Sequence, residues 1–419
     1  MKKTHRLRMT AAIAAVVAIP LAAAACSASA PADAGSDTLT VYSFKGMPGQ
    51  EANMGKINAA FEAAHPDIKL DFQPISDGAE YTQKVQTELL AGDGPDVVMV
   101  DSSKTPGLAK AGYLLDLGSR PWAADIAEAI RPFNEFEGTL YAAPMEAIGI
   151  GLFSNTAVLA DSGVDAVPTD WPSFLGALKK IQAAGYTPIS IPAKGGWGPV
   201  QTFFNMGATL VPEDWDQSFY EGDGSFSTYE PALDKMLELQ SEGLIDWQNE
   251  LGIDEFGDGP SLFKAGDTGF WLQGAWNFSD VEESGLDIKF TALPAGDSGT
   301  EPNALIFAGT SWGINAASDN MTAAETYVDF FLQPEILQLF LEAESAISPF
   351  NSGTNPENPG TAAFSDSVAA GNYRYLQTAT WNTGDVEDMM GSELQGFLLG
   401  QTTKDQLFES LDAIGIRKE

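Results

Sequence analysis

Residues 96–100 read Asp-Val-Val-Met-Val. A short apolar run of this kind is typical of a strand that is buried on both faces, as strands of a parallel sheet are. Asp101 follows directly. In open α/β sheets, ligands bind beyond the carboxyl ends of the strands, so Asp101 is a candidate binding residue. The alternative is that Asp101 caps the next helix.

The residues before this run alternate between strand and helix patterns. Because the connections are short, the alternation predicts right-handed crossovers and a mainly parallel sheet. The segments are a strand at Leu39-Thr-Val-Tyr-Ser-Phe44, a helix carrying Ile57, Phe61 and Ala64 that ends before Pro66, a strand at 68–72, and a helix carrying Tyr81, Val85 and Leu89 that ends near Gly92.

A second α/β region follows an apolar, glycine-rich segment, residues 138–155, which predicts a strand that crosses between two lobes. The further predicted elements are a helix at 171–181 opened by Thr169 or Asp170, a strand at 187–191, helices at 199–210, 229–242 and 259–265, strands from 269 and at 287–293, a helical block at 322–344 broken at Pro334, and helices at 385–399 and 403–414, the last with a capping box from Thr403 to Gln406.

Composition excludes several classes of function. The chain has 419 residues, 44% hydrophobic and 19% charged, which is typical of a folded protein. A formal charge of −36 would repel a polyphosphate backbone, so nucleic-acid binding is excluded. With only two histidines and one cysteine, the chain has almost no material for a histidine-based triad or a zinc site. We therefore predict no metal and no cofactor.

The N-terminal residues predict export and anchoring. Basic residues precede an apolar run that is shorter than a membrane-spanning helix, and Ala23-Ala-Ala-Cys26 is similar to a bacterial lipobox. We expect residues 1–25 to be a lipoprotein signal peptide, Cys26 to be lipidated, and residues 26–37 to form a flexible tether. The alternative is a plain secretory signal with an incidental cysteine.

Four tryptophans lie among small and polar residues, which is typical of exposed loops: Trp197, Trp276, Trp312 and Trp381. An exposed indole can pack against the apolar face of a pyranose, while polar side chains bind its hydroxyl groups. Asn277 adjoins one of these tryptophans. The alternative for each ring is packing under a loop, which we expect for Trp122, Trp171, Trp215 and Trp247.

Charged residues supply further candidates. Lys45 follows the first strand, and Glu51 is expected to begin a helix, where a helix-start role competes with ligand contact. Arg374, between two tyrosines, favours a hydroxyl or carboxylate partner over a metal ion. A glycosidase needs two opposed carboxylates, but 58 acidic residues make such a pair unspecific, so we predict that the protein is not an enzyme.

Several motifs together resemble the carbohydrate-binding family, family 1, of extracellular solute-binding proteins of bacterial ABC importers. The resemblance runs nearly end to end. It is carried by the lipobox-like segment and by Leu39–Phe44, Gly92–Asp101, Leu140-Tyr-Ala-Ala-Pro144, Leu152-Phe-Ser-Asn155, Phe263-Lys-Ala-Gly266, Gly274-Ala-Trp-Asn277 and Gly309-Thr-Ser-Trp-Gly-Ile314.

The resemblance implies a type II periplasmic-binding-protein-like fold, with two α/β lobes, each a mainly parallel sheet flanked by helices, and a hinge between them. Lobe I would be 38–145 plus 306–346, and lobe II 146–305 plus 347–419. Asp101, Trp276 and Trp312, with Glu146 and Arg374, would contact the sugar.

The function implied is capture of a sugar, which we expect to be an oligosaccharide, and its delivery to an ABC transporter permease. The protein would be a monomer, anchored by lipid on the extracellular face of the cell membrane. The alternatives are an extracellular glycoside hydrolase, or a binding protein of the same fold for a peptide or a metal.

Overall fold

A computed structural model describes residues 38–47, 51–76, 79–375 and 386–414. Its strands are β1 Thr38–Ser43, β2 Lys69–Pro74, β3 Val97–Val100, β4 Glu135–Phe136, β5 Thr139–Leu140, β6 Ala143–Pro144, β7 Ala147–Asn155, β8 Thr187–Ser190, β9 Thr268–Gly274, β10 Ile288–Thr291, β11 Ala304–Ala308, β12 Ser311–Ile314 and β13 Tyr373–Tyr375.

The described helices are α1 Met54–Ala64, α2 Ala79–Ala91, α3 Thr105–Lys110, α4 Thr156–Asp161, α5 Trp171–Ala184, α6 Trp197–Leu210, α7 Trp215–Glu221, α8 Glu230–Ser241, α9 Trp247–Glu250, α10 Asp258–Lys264, α11 Phe278–Glu283, α12 Met321–Phe331, α13 Pro334–Glu344, α14 Ala362–Ala369, α15 Val386–Leu398 and α16 Lys404–Ala413. Short 3-10 turns lie at Ala123–Asp125, Arg131–Asn134, Phe226–Tyr229 and Ala275–Asn277.

The first sheet has the strand order β2-β1-β3-β12-β6. β1 runs parallel to β2 and β3, which confirms the predicted strand and helix alternation of residues 38–100. β3 is buried along its whole length, as its apolar run predicts. β12 is antiparallel to both of its neighbours, β3 and β6. Asp101 therefore lies at the carboxyl end of the central strand.

The second sheet has the order β13-β11-β7-β9-β8, and β10 also pairs with β7. β7 is antiparallel to β9, β10 and β11, whereas β8–β9 and β11–β13 are parallel pairs. Both sheets are thus mixed, and the prediction of mainly parallel sheets was wrong in this respect. The reason is that β7 and β12 enter their sheets from the other lobe, not through a helical crossover on the same sheet.

The chain passes between the two sheets at three places. Met145 and Glu146 separate β6 of the first sheet from β7 of the second, and Gly309 and Thr310 separate β11 from β12. Residues 345–347 follow α13, and Ile347 forms a bridge with Ala147. The predicted lobe limit at 145/146 falls in the first crossing, but the limit at 305/306 falls inside β11. We propose a second limit at residues 309–310.

Local signals account for several element boundaries. Asp170 and Ser173 form a capping box at α5, and Thr403 and Gln406 form the predicted one at α16. Pro334 begins α13 after a break, as predicted. Glu51 does not begin a helix: α1 starts at Met54, after two residues with positive φ. Among the described residues, no helix is long and apolar enough to span a bilayer.

Candidate functional site

Four aromatic side chains of the second sheet and its connections form a cluster. Trp276 lies 5.9 Å from Trp197 and 6.2 Å from Phe307, measured between ring centroids, and Phe256 lies 5.4 Å from Trp197. Phe256 is 49% exposed, and the other three rings are half-buried. We call Trp197, Phe256, Trp276 and Phe307 the aromatic cluster. Exposed ring faces of this kind provide a surface for an apolar ligand face.

Glycines allow both tryptophans to take these positions. A Cβ atom on Gly274, the last residue of β9, would lie 2.0 Å from the Trp276 ring, so the ring folds back over bare backbone. Gly196 precedes α6 with a φ of 88°, a left-handed conformation that favours glycine. Trp197 therefore begins the helix with its side chain directed toward Phe256 and Trp276.

Phe256 is held in an ordered loop. The side chain of Asp254 accepts hydrogen bonds from the backbone amides of Phe256 and Gly257, at 3.2 and 2.8 Å. The neighbouring Glu255 is buried, and both of its oxygens accept from the amide of Gly195, at 2.9 and 2.8 Å. This carboxylate ties the Phe256 loop to the segment that begins α6. The aromatic cluster is thus built on hydrogen-bonded connections.

Asp101 contributes a fixed negative charge from the first sheet. Its Oδ1 accepts from the amides of Ser103 and Lys104 at 2.9 and 3.0 Å, and its Oδ2 pairs with Lys104 Nζ at 2.5 Å. Burial opposes ionisation, but the Lys104 charge and these hydrogen bonds outweigh it and lower the pKa of Asp101. Asp101 thus bonds to the turn before α3, whose N-cap is Lys104 and not Asp101, and stays ionised. Its side chain remains about one quarter exposed, at 23%.

Glu387 of α15, beside the second sheet, faces this charge. Burial, and then the negative charge of Asp101, raise the pKa of Glu387 to about 7, against a hydrogen bond with Gln201 that lowers it. Gln201 lies one helical turn after Trp197 on the same face of α6. The aromatic cluster, Gln201 and Glu387 on one lobe and Asp101 on the other therefore mark a region in which the two lobes face each other. We call this region the interlobe site.

The interlobe site combines ring faces with hydrogen-bonding groups of both signs. Rings bind apolar CH surfaces, ionised carboxylates accept hydrogen bonds from hydroxyl groups, and Lys104 donates. This is the chemistry of a neutral polyhydroxylated ligand. Within the described ranges, no group of three or more His, Cys, Asp or Glu side chains is arranged to hold a metal ion.

Trp312 is not part of this site, so its prediction as a stacking surface was wrong. It lies in β12 and is fully buried, and its ring packs edge-on against Tyr327 and Phe331 at 5.7 and 5.6 Å. β12 is paired on both sides, by β3 and β6. The small residues around Trp312, Ser311 and Gly313, belong to β12 and not to a loop. They are small because this part of the strand is buried between β3 and β6.

Arg374 is also placed elsewhere, which corrects its prediction as a ligand contact. Its guanidinium bonds to Asp216 Oδ2 at 2.6 and 3.0 Å and to the carbonyl groups of Val211 and Pro212 at 3.0 and 3.1 Å. The side chain is 9% exposed. Arg374 therefore joins β13 to the end of α6 and to α7. Its donors serve the fold of the second lobe.

The remaining candidates divide between the hinge, the surface and undescribed residues. Lys45 and Glu146 lie near each other at the crossings, and Glu146 is buried. Glu51 is exposed before α1, and Asn277 is half-buried beside Trp276. Trp381 and Cys26 lie outside the described residues. Of the ten predicted contact residues, Asp101, Trp197, Trp276 and Asn277 remain candidates for the interlobe site.

Sequence reasoning missed Phe256, Phe307, Gln201 and Glu387. Phe256 had a signal in the sequence, since it is an aromatic residue in a short glycine-containing acidic loop, Asp254-Glu-Phe-Gly257. Phe307 is an ordinary strand residue, and Gln201 and Glu387 are ordinary helix residues. Their membership of the site depends on which helices pack together.

Comparison with known proteins identifies the family. A family model described as bacterial extracellular solute-binding protein matches residues 48–337, more than half of the chain. The chain belongs to this family. Its members are binding proteins.

Two curated relatives and one solved structure illustrate the likeness. The diacetylchitobiose-binding protein DasA of Streptomyces coelicolor is 24% identical over 71% of this chain and 69% of the relative. The melibiose/raffinose/stachyose-binding protein MelE of Bacillus subtilis is 23% identical over 75% of this chain and 74% of the relative.

The solved structure is a chitin oligosaccharide binding protein, with a TM-score of 0.76 and 20% identity over 90% of this chain and 97% of that structure. The likeness confirms the predicted two-lobe α/β fold of this solute-binding protein.

Proposed function

We propose that this protein captures an oligosaccharide between its two lobes and delivers it to the permease of an ABC importer. The observation that carries the proposal is the aromatic cluster beside the carboxylates of Asp101 and Glu387, which come from opposite lobes. Relatives whose names specify sugars of two or more rings support the same ligand class. An extended aromatic surface with several rings fits a ligand with several pyranose faces.

Titration calorimetry with diacetylchitobiose, raffinose and stachyose tests the ligand class. We expect at least one of these sugars to bind and to be recovered chemically intact after long incubation, because a binding protein needs no nucleophile and base pair. Failure of all three sugars to bind would contradict the proposal. Bond cleavage in preparations shown to be free of other hydrolases would favour a glycoside hydrolase instead.

Phe256 provides a matched test of the site. Phe256→Ala should weaken sugar binding about two- to tenfold, the effect of losing about 0.5–1.5 kcal/mol of ring contact. Leu262 on α10 is 47% exposed, almost the same fraction as Phe256, and serves as the control because it lies outside the aromatic cluster. If Leu262→Ala weakened binding as much as Phe256→Ala, the assignment of the cluster to the ligand would fail.

We also propose that the protein works as a monomer held on the extracellular face of the membrane by a lipid on Cys26. The lipobox-like sequence before Cys26 supports this arrangement, since two acyl chains anchor a protein stably. Cys26→Ala should leave the membrane fraction or remain as an uncleaved precursor. Normal processing and unchanged fractionation of this variant would exclude the lipid anchor.

A further inference from the structure

A buried ion cluster lies at the hinge, at the end of α13 that approaches the Ala275–Asn277 turn. The ammonium group of Lys45 forms an ion pair with Glu344 and lies 3.9 Å from Oε1 of Glu146. The three side chains are 14%, 5% and 2% exposed, respectively. One cation thus faces two carboxylates in a region with little water. We call these three residues the hinge cluster.

The hinge cluster connects all three crossings. Glu146 lies in the first crossing, and its Oε1 accepts from the amide and the hydroxyl group of Thr310 in the second, at 3.1 and 2.8 Å. Glu344 is the last residue of α13. The third crossing starts with Ser345, which has a φ of 50°, a strained value for a residue with a side chain. A change in these contacts therefore acts on the backbone that joins the lobes.

The cluster is short of positive charge. Among the described residues, Oε2 of Glu146 is buried without a hydrogen-bond partner. An unpartnered buried carboxylate oxygen is unfavourable, and it would gain a partner if Lys45 turned toward it. Burial first, and then the charge of Glu146, raise the pKa of Glu344 to about 7, although Lys45 opposes this shift. Lys45 thus pairs directly with Glu344 and has the second carboxylate, Glu146, within reach.

The third crossing borders a surface pocket on one side. A cavity of about 170 Å³ borders it, lined among others by Ser345, Ala346, Ile347, Asn355 and Thr361. The pocket is open to solvent and lined mainly by polar groups, so the core does not cover the crossing on that side. On its other side the crossing packs on the core through buried Ala346, and the hinge cluster holds its start.

We infer that Lys45 and Glu344 are positioning residues for ligand capture: through Glu146 and the crossings, they set the balance between two hinge arrangements without touching the ligand. When Glu344 is ionised, it holds the ammonium group of Lys45. When Glu344 takes up a proton, Lys45 pairs with Glu146 and stabilises the first and second crossings. The affinity for the ligand changes because the ligand binds one hinge arrangement more tightly than the other. The statement about affinity rests on the proposed function.

The other charged groups near α13 do not offer a competing explanation. The neighbouring helices α1 and α11 reach α13 through neutral groups: Asn53 bonds to the carbonyl of Leu339, and Ser279 to that of Ala343. The charged side chains on α13 and on the helices around it are exposed or paired elsewhere: Lys56, Glu62, Glu282, Glu283, Glu335 and Glu342 are exposed, Asp280 pairs with Lys264, and Glu325 and Asp329 pair with Arg120.

The test measures hinge arrangement without ligand. In the full chain with Cys26→Ser, spin labels are attached at Ala63→Cys on α1 and Ala183→Cys on α5, which are exposed positions on the two lobes. We expect the distance distribution between the labels to change between pH 8 and pH 6. Glu344→Gln should show the pH 6 distribution at both values, because a neutral amide leaves Lys45 to Glu146.

Two further variants exclude a merely structural effect. Lys45→Met leaves two carboxylates without their cation and should shift the distribution in the direction opposite to Glu344→Gln. Lys45→Arg keeps the charge and should restore the parent's pH response. If Lys45→Met does not fold, the label-distance distributions of Glu344→Gln and the parent at the two pH values are sufficient to test the inference. Identical distributions for the parent at both pH values and for Glu344→Gln would overturn the inference.

The affinity statement is tested with raffinose, stachyose and diacetylchitobiose as probes. For a sugar that binds the parent, the dissociation constant should change about three- to tenfold between pH 8 and pH 6, and Glu344→Gln should flatten this profile. A pH response of affinity that persists unchanged in Glu344→Gln would overturn the inference. If none of the three sugars binds, the proposed function is contradicted. The label distances, which are measured without sugar, still test whether Glu344 and Lys45 control the hinge arrangement.

Discussion

Two tryptophans with similar sequence surroundings have different environments. Trp276 and Trp312 both lie among small and polar residues. Trp276 follows the end of a strand and lies half-buried in the aromatic cluster, whereas Trp312 is a central residue of the first sheet and is fully buried. The difference arises because α12 covers the Trp312 ring on the face of the first sheet, whereas Trp276 lies in a turn beyond the end of β9.

This difference predicts opposite effects of truncation. Trp276→Ala should weaken sugar binding by about 1–3 kcal/mol and change folding stability less, because we propose that its ring contacts the sugar. Trp312→Ala should cost about 3–5 kcal/mol of unfolding free energy and leave affinity unchanged in the folded fraction. Urea unfolding and sugar titration of both variants measure the two quantities. A large loss of stability in Trp276→Ala with affinity retained would remove Trp276 from the site.

At the scale of elements, the interlobe site depends on how closely α15 packs on the start of α6. Gly391 of α15 and Gly196 before α6 meet backbone to backbone: a Cβ on Gly391 would lie 3.1 Å from the Cα of Gly196. Gly396, five residues later in α15, has its nearest neighbour 3.7 Å from such a Cβ. The two glycines of one helix therefore have different roles.

The packing predicts that Gly391→Ala separates the two helices. We expect a loss of about 1–3 kcal/mol of unfolding free energy, as for other overpacked positions, together with weaker sugar binding, because Trp197 and Gln201 lie on α6. Gly396→Ala is the control and should be neutral or stabilise by up to about 1 kcal/mol through helix propensity. Thermal unfolding and calorimetry of both variants check this. Equal stability of the two variants would show that the close approach is unimportant.

At the scale of the whole molecule, buried carboxylates make the unfolding free energy depend on pH. Oε2 of Glu250 accepts from the amide of Ile191 and the hydroxyl of Ser190, at 2.8 and 3.0 Å. Burial nevertheless raises the pKa of Glu250 to about 7, from an ordinary value near 4.5. The folded state therefore binds this proton more tightly than the unfolded state. Its stabilising effect is complete below about pH 4.5 and is lost as the pH rises through about 7.

Glu250→Gln should remove this contribution and keep a hydrogen-bond acceptor. The unfolding free energy of the variant should fall less steeply with pH than that of the parent between about pH 5 and pH 8, by at most about 3 kcal/mol over the interval. Denaturant unfolding at several pH values measures both slopes. Glu344 and Glu387 remain in both proteins, so the difference reports Glu250. Parallel pH profiles would show that Glu250 does not titrate in this range.

The sequence by itself determined most of the elements and their alternation along the chain, because the signals are local. The apolar run before Asp101, the break at Pro334 and the capping box at Thr403 act within a few residues of the chain. The motifs of the family also determined the type of fold. Tertiary structure alone decided which side chains form the site.

Trp312 and Arg374 lie in polar or glycine-containing sequence, yet α12 buries one and Asp216 binds the other. Phe256 and Glu387 join the site only because distant segments meet there. Residue exposure and pKa depend on these long-range neighbours, which no local pattern specifies.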